Sequence, residues 1–149
     1  MRCIVQRVSE ASVTVDGAVT GAIERGLLVL AGIGRGDTEA ELRWMADKLV
    51  RLRIFDDQAG RFDRSLLDVG GAVLSVSQFT LFADARRGTR PSFTGAAPPI
   101  EAEALWLRFN DLVAAAGVRV ETGVFGAHMD VALVNDGPVT MQLERTAPT

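Results

Sequence analysis

A chain of 149 residues, 48% apolar and 23% charged, has the length of one domain and the composition of an ordinary globular protein. That mixture excludes intrinsic disorder, and 15 Gly and 5 Pro scattered without period exclude a collagen-like or low-complexity chain. The net charge of −3 argues against a protein that tracks long stretches of duplex backbone, DNA above all, so any nucleic-acid contact has to come from a local patch.

All 16 basic residues except Lys48 are Arg, whose planar fork of donors suits phosphate and carboxylate; genome base composition produces the same bias. The single cysteine, Cys3, excludes an intrachain disulfide and reads as a small core residue. One Cys and one His cannot build the usual nitrogen and sulfur metal site, so no metal is expected. The first eight residues are too polar for a secretory core, and no apolar run approaches about 18 residues. The expectation is a soluble, cytoplasmic protein with no membrane partner.

In chain order, Ser12-Val13-Thr14-Val15 alternates polar and apolar and meets the hairpin signal Asp16-Gly17, with Val19 and Ile23 on the returning strand. Residues 27–33 form a continuous apolar run, the pattern of a strand buried on both faces. A helix follows, with Thr38 and Glu41 spaced as a capping box and Leu42, Met45, Leu49 and Leu52 on one stripe. Residues 56–60 read as a turn and Gly70-Gly71 as a break. Residues 72–79 read as a central strand.

Residues 83–99 have no apolar periodicity and form a loop of a length that is often functional. Pro98-Pro99 suits the start of a second helix, with Leu105, Phe109, Leu112, Val113 and Ala116 as its buried stripe and Gly117 after its end. Residues 118–122, 129–134 and 139–143 read as strands, the last two joined by Asn135-Asp136-Gly137-Pro138. This order predicts a single α/β domain over 1–149. It is layered, with mixed, strand-rich sheets and two main helices packed on one side. Leu28, Val29, Val73, Leu74 and Leu133 are its expected core.

Three segments carry polar residues that a core does not require. Ser77, Gln78 and Thr80 end a buried strand, where α/β domains often project functional groups; hydrogen bonds that merely finish the strand are the simpler explanation. Asn135-Asp136-Gly137-Pro138-Val139-Thr140 reads locally as a hairpin turn, and only about 5–6% of such X-Pro bonds are cis. Arg86, Arg87, Thr89 and Arg90 could grip phosphates or simply face solvent. His128 is the only imidazole, and no Gly-x-Ser-x-Gly elbow accompanies it. Gly32-Ile33-Gly34-Arg35-Gly36 lacks both the dinucleotide spacing and the phosphate-loop lysine.

Ser77-Gln78-Phe79-Thr80-Leu81 and Asn135-Asp136-Gly137-Pro138-Val139-Thr140 resemble the two signature motifs of the D-aminoacyl-tRNA deacylases, also called D-tyrosyl-tRNA deacylases. The resemblance runs from Gln6-Arg7-Val8 and Ala11-Ser12-Val13 through Arg90-Pro91-Ser92-Phe93 and Phe125-Gly126-Ala127-His128-Met129, and is weakest at 60–68. It implies a homodimer that hydrolyses the ester joining a D-amino acid, or glycine, to the terminal ribose of tRNA, without an organic cofactor. It further implies a cis Gly137-Pro138 bond that enters the partner subunit's pocket, with Phe125 and Met129 also against the substrate.

Within that resemblance the N–H groups of Phe79 and Thr80 would bind a developing oxyanion. Ser77 and Gln78 would hold the ribose or adenine, Phe79 would line the adenosine pocket, and Arg86, Arg87 and Arg90 would meet the tRNA. The Thr80 hydroxyl is either a nucleophile or a positioning group; no base stands near it in sequence, which favours positioning. A small-ester hydrolase and a non-catalytic module that binds charged tRNA are the alternatives. No role is assigned to His128.

Overall fold

A computed structural model describes residues 1–148. The Asp16-Gly17 turn joins β1 (Arg2–Val15) to β2 (Ala18–Ile23), as its composition predicts. The apolar run is β3 (Gly26–Gly32), which pairs antiparallel with the first half of β1. Helix α1 (Glu39–Arg51) opens with the predicted capping box: Thr38 accepts from the Ala40 N–H, and Glu41 accepts from the Thr38 N–H at 2.7 Å. Leu42, Met45 and Leu49 of the expected stripe are fully buried.

The short pair β4 (Phe55–Asp56) and β5 (Phe62–Arg64) flanks the turn at 57–60. Helix α2 (Leu66–Val69) follows, capped by Ser65 and Asp68. This third helix lies where the family resemblance is weakest, and four residues are too few to show a stripe. β6 (Ala72–Ser77) then runs parallel to β3, and β7 (Val120–Thr122) runs parallel to β6 after helix α3 (Pro99–Ala115). A parallel neighbour requires a crossover, and α1 and α3 supply the two crossovers.

The strands alternate sides cleanly. Leu27, Val29, Ala31 and Val73 face α1 and α3, while Leu28, Leu74 and Val76 face a second core closed by Val8, Val13 and Ile23 of β1 and β2. The helices therefore cover one face, and the curled strands cover the other, as expected. Of the predicted core, Leu28, Val29, Val73 and Leu74 are buried, while Leu133 packs half-buried at the margin of the second core. Each fully buried leucine here contributes roughly 1.5–3 kcal/mol.

Three expectations need correction. The buried stripe of α3 is Ala102, Trp106, Phe109 and Val113, and Ala116 is exposed at the helix end, where Gly117 turns the chain. β6 stops at Ser77 rather than 79. Residues 129–143 are not two strands around a hairpin turn. They form one strand, β8 (Asp130–Glu144), antiparallel to β1 along nearly its whole length.

The turn-like residues of β8 are a bulge. Thr140 pairs with Gln6 and Asn135 with Val8, so four residues, 136–139, stand opposite Arg7 alone. The Asn135 side chain closes this bulge, accepting from the Val139 N–H at 2.7 Å and donating to the Thr140 hydroxyl at 3.0 Å. Local composition cannot separate a bulge from a hairpin; only the distant partner strand does.

Candidate active site

β6 ends beside β3, with Ser77 in register with Ala31. The chain then tightens into a 3-10 turn, Phe79–Phe82. Two glycines allow this turn to lie directly against the strand end. A Cβ on Gly32 would sit 2.9 Å from the Gln78 carbonyl oxygen, and one on Gly34 would sit 2.9 Å from the Phe82 ring. The Gly32-x-Gly34 spacing thus marks a close backbone approach, not a nucleotide loop. Phe82 fills the resulting slot, and the Arg2 guanidinium lies 4.6 Å above its ring and donates to the Leu81 carbonyl at 3.0 Å.

The turn forms one wall of a cavity of 610 Å³. Ser77, Gln78 and Phe79 line it, as do Phe125, Met129 and His128 from the segment before β8. The structure therefore brings together five of the sequence-predicted site residues. Thr80 joins them through Gln78, whose side-chain N–H donates to the Thr80 hydroxyl. That hydroxyl meets an amide donor rather than a base. The Phe79 and Thr80 N–H groups stand at the open end of the turn, with no backbone carbonyl accepting from either among the described residues.

Other wall residues were not anticipated. Phe93 meets Phe79 edge to face at 5.1 Å, and Trp106 packs on Phe125 at 5.9 Å. Trp106 also donates to the buried Ser75 hydroxyl at 2.9 Å, which fixes its ring. Ile33, Arg35, Ala96 and Ala97 also line it, where Gly34 bridges Ala96. A clue was present in sequence: Phe93 belongs to the Arg90-Pro91-Ser92-Phe93 segment, and Trp106 lies on the helical face shared with Ala102 and Phe109. Neither fact alone indicates a cavity.

Two groups of expected residues lie elsewhere. Arg86, Arg87 and Arg90 sit on the exposed loop and do not line the cavity. Arg86 grips Asp84 with two nitrogens at 2.9 and 2.7 Å, and those bonds hold the Asp84 carboxyl down to about 2. Gly137 and Pro138 also lie off the cavity. Arg7 is opposite Leu27, which is in register with Val73, and Ser77 is four residues further along β6, roughly 13 Å.

The Gly137-Pro138 peptide is cis, and Gly137 has φ +146°, where a Cβ would meet the Val139 nitrogen at 2.8 Å. Arg7, missed as a site residue, holds this bulge from beneath. It is buried, donates to the Asp136 carbonyl at 2.8 Å and to the Ile54 carbonyl at 2.9 Å, and pairs with Asp56 at 3.2 Å. Its place in the Gln6-Arg7-Val8 segment was visible; its burial was not. Cys3 is fully buried, which pushes its thiol up to about 12 and leaves it inert.

A family model described as D-Tyr-tRNA(Tyr) deacylase matches residues 4–144. The chain belongs to this family. As a member it is a hydrolase, a deacylase of ester bonds. A D-aminoacyl-tRNA deacylase of Thermomicrobium roseum is 61% identical over 97% of this chain and 94% of its own. One of Deinococcus radiodurans is 58% identical over 97% and 99%. Among solved structures, one described as c-Myc DNA Unwinding Element Binding Protein superposes on the deacylase fold with a TM-score of 0.92, at 42% identity over 99% of this chain and 100% of that one.

Proposed function

We propose that this chain hydrolyses the ester of D-aminoacyl-tRNA, and of glycine mischarged on the alanine tRNA, releasing free amino acid and tRNA. One observation carries the reading: Ser77, Gln78 and Phe79, where β6 passes into the turn, line a cavity large enough for an aminoacyl nucleoside, and the N–H groups of Phe79 and Thr80 have no backbone acceptor among the described residues. Those N–H groups stabilise the oxyanion, Ser77 and Gln78 hold the ribose or adenine, and Phe79 lines the adenosine pocket. Thr80 positions the ester rather than attacking it. An activated ester needs little further assistance, and the 2′-hydroxyl of the substrate helps to activate water.

The chain works as one unit of 1–149 in the cytoplasm and as a homodimer. The Gly137-Pro138 bulge supports the dimer: it is exposed, firmly held by Arg7 and Asn135, and remote from its own cavity. In a second subunit's cavity, beside Phe125 and Met129, it excludes the side chain of an L-amino acid. Arg86, Arg87 and Arg90 meet the acceptor stem.

Matched D- and L-tyrosyl-tRNAs test the reading. Release of D-tyrosine with the L-ester left intact supports it. Equal rates on both enantiomers and on a free aminoacyl ester indicate a small-ester hydrolase instead. Binding without turnover indicates a charged-tRNA-binding module.

A further inference from the structure

We propose that Arg35 is a substrate-binding residue that takes the phosphate 5′ to the ribose bearing the ester. The proposal rests on the aminoacyl-tRNA reading above and adds a subsite to it. Among the described residues, the cavity wall includes no Asp or Glu side chain; Arg35 and His128 are its only ionisable residues, and His128 faces Asp130 at 3.8 Å. Among the described residues, Arg35 is thus the one permanent charge on that wall.

Its placement is fixed on two sides. The Arg35 N–H donates to the Gly95 carbonyl at 3.0 Å, and its side-chain Nε donates to the Thr94 carbonyl at 2.6 Å. This leaves both terminal guanidinium nitrogens without a protein acceptor and the charge without a carboxylate, among the described residues. Arg86 and Arg108, by contrast, are chelated by Asp84 and Glu39. An exposed cation held by one carbonyl at its Nε, with two parallel donors free, is prepared for a bidentate anion.

The substrate's chemistry selects that anion. In an aminoacyl ester the amino-acid carboxylate is consumed by the ester bond, the amine is cationic, and the base is neutral. The only anions are phosphates, and the nearest to the ester is the one on the 5′ oxygen of the same ribose. Arg35 shares the cavity with Gln78 and Phe79, the residues assigned to that nucleoside. Its charge repels the substrate amine, so it also opposes a reversed pose.

Two small substrates isolate the contact: a D-tyrosyl ester on the ribose of adenosine, and the same ester on 5′-AMP. The readout is the ratio of kcat/KM for the phosphorylated over the unphosphorylated ester at low salt. In the wild type the ratio should be roughly five- to tenfold, carried by KM and declining as salt rises. In Arg35→Gln it should fall to near one, Arg35→Lys should keep part of it, and Arg51→Gln, which removes an equal charge from the far end of α1, should keep all of it. A wild-type ratio near one, or a ratio that survives Arg35→Gln, overturns the proposal. Should the wild type cleave neither ester and no D-aminoacyl-tRNA, the functional reading fails by itself. Titration with AMP and adenosine then decides on Arg35: a preference for AMP lost in Arg35→Gln supports the subsite, and no preference overturns it.

Discussion

The two motif-bearing regions lie at different ends of the sheet and are held by opposite means. At the end of β6 the chain enters a four-residue turn, Phe79–Phe82, in which Phe79 is 57% exposed, and the turn is steadied from behind by the Phe82 ring in a glycine slot. At the β8 bulge the exposed Gly137 and Pro138 are steadied by a buried cation that satisfies backbone carbonyls. Exposed functional backbone lacks packing of its own, so its geometry comes from the layer beneath. One region cannot accept added volume, and the other cannot lose a charge.

Losing the charge is the harsher change. Arg7→Leu should destabilise the fold by about 3 kcal/mol, since the Ile54 and Asp136 carbonyls lose their donor and Asp56 its partner. Urea denaturation checks this, and a shift below about 1 kcal/mol would mean that the bulge does not depend on the cation.

Added volume should act on the other region. Gly34→Ala must displace the Phe82 ring, at a cost of about 1–3 kcal/mol, and should lower kcat for deacylation about tenfold by moving the turn. Gly95→Ala is the matched control, because its Cβ would meet Phe82 at an ordinary 3.5 Å and should leave both stability and turnover near wild type. Equal behaviour of the two variants would remove the slot from the explanation.

A smaller effect separates positioning from attack at Thr80. Thr80→Ala loses one hydrogen bond from Gln78 and should retain activity within about tenfold of wild type. Mass spectrometry of a quenched wild-type reaction should show no acyl adduct; an adduct on Thr80 would reverse the assignment.

The smallest effect belongs to the arginine loop, which neither device steadies. The Asp84 carboxyl is held to about 2 by hydrogen bonds from the Arg86 side chain and backbone, below its ordinary 3.8. A depressed carboxyl favours the ordered loop above pH 3.8, and that contribution disappears as pH falls toward about 2. Limited proteolysis should therefore cut within 84–92 more readily at pH 2 than at pH 5. Asp84→Asn should be equally sensitive at both, with thermal stability unchanged.

The elements of the fold were legible where their cause is local. The Asp16-Gly17 turn, the Thr38 and Glu41 box, and the glycine after α3 all act within a few residues. The errors occurred where the cause is distant. Asn135 to Pro138 reads as a hairpin because nothing nearby reveals that β1 continues alongside. Helical periodicity alone extends the α3 stripe to Ala116, whereas packing against α1 and β3 ends it at Val113. In the site, the Ser77 to Thr80 segment was legible as polar residues at the end of an apolar strand. Arg35, Phe93 and Trp106 were not, since each enters the wall through a tertiary contact. Arg7 was hidden by its own burial, because an arginine in a strand ordinarily faces solvent.

β1 also acts as a ruler. Arg2, which braces the turn after β6 through Leu81, and Arg7, which braces the bulge, are five residues apart on one continuous strand. An odd spacing sends them to opposite faces, and the paired strands β3 and β8 lock that phase along both edges. A single-residue insertion or deletion between them would invert one arginine relative to the other, whatever residue was used. Homologous chains should therefore keep the length of segment 3–6 fixed even where its outward-facing residues Ile4 and Gln6 change, a constraint on spacing beyond the burial that Cys3 and Val5 already require.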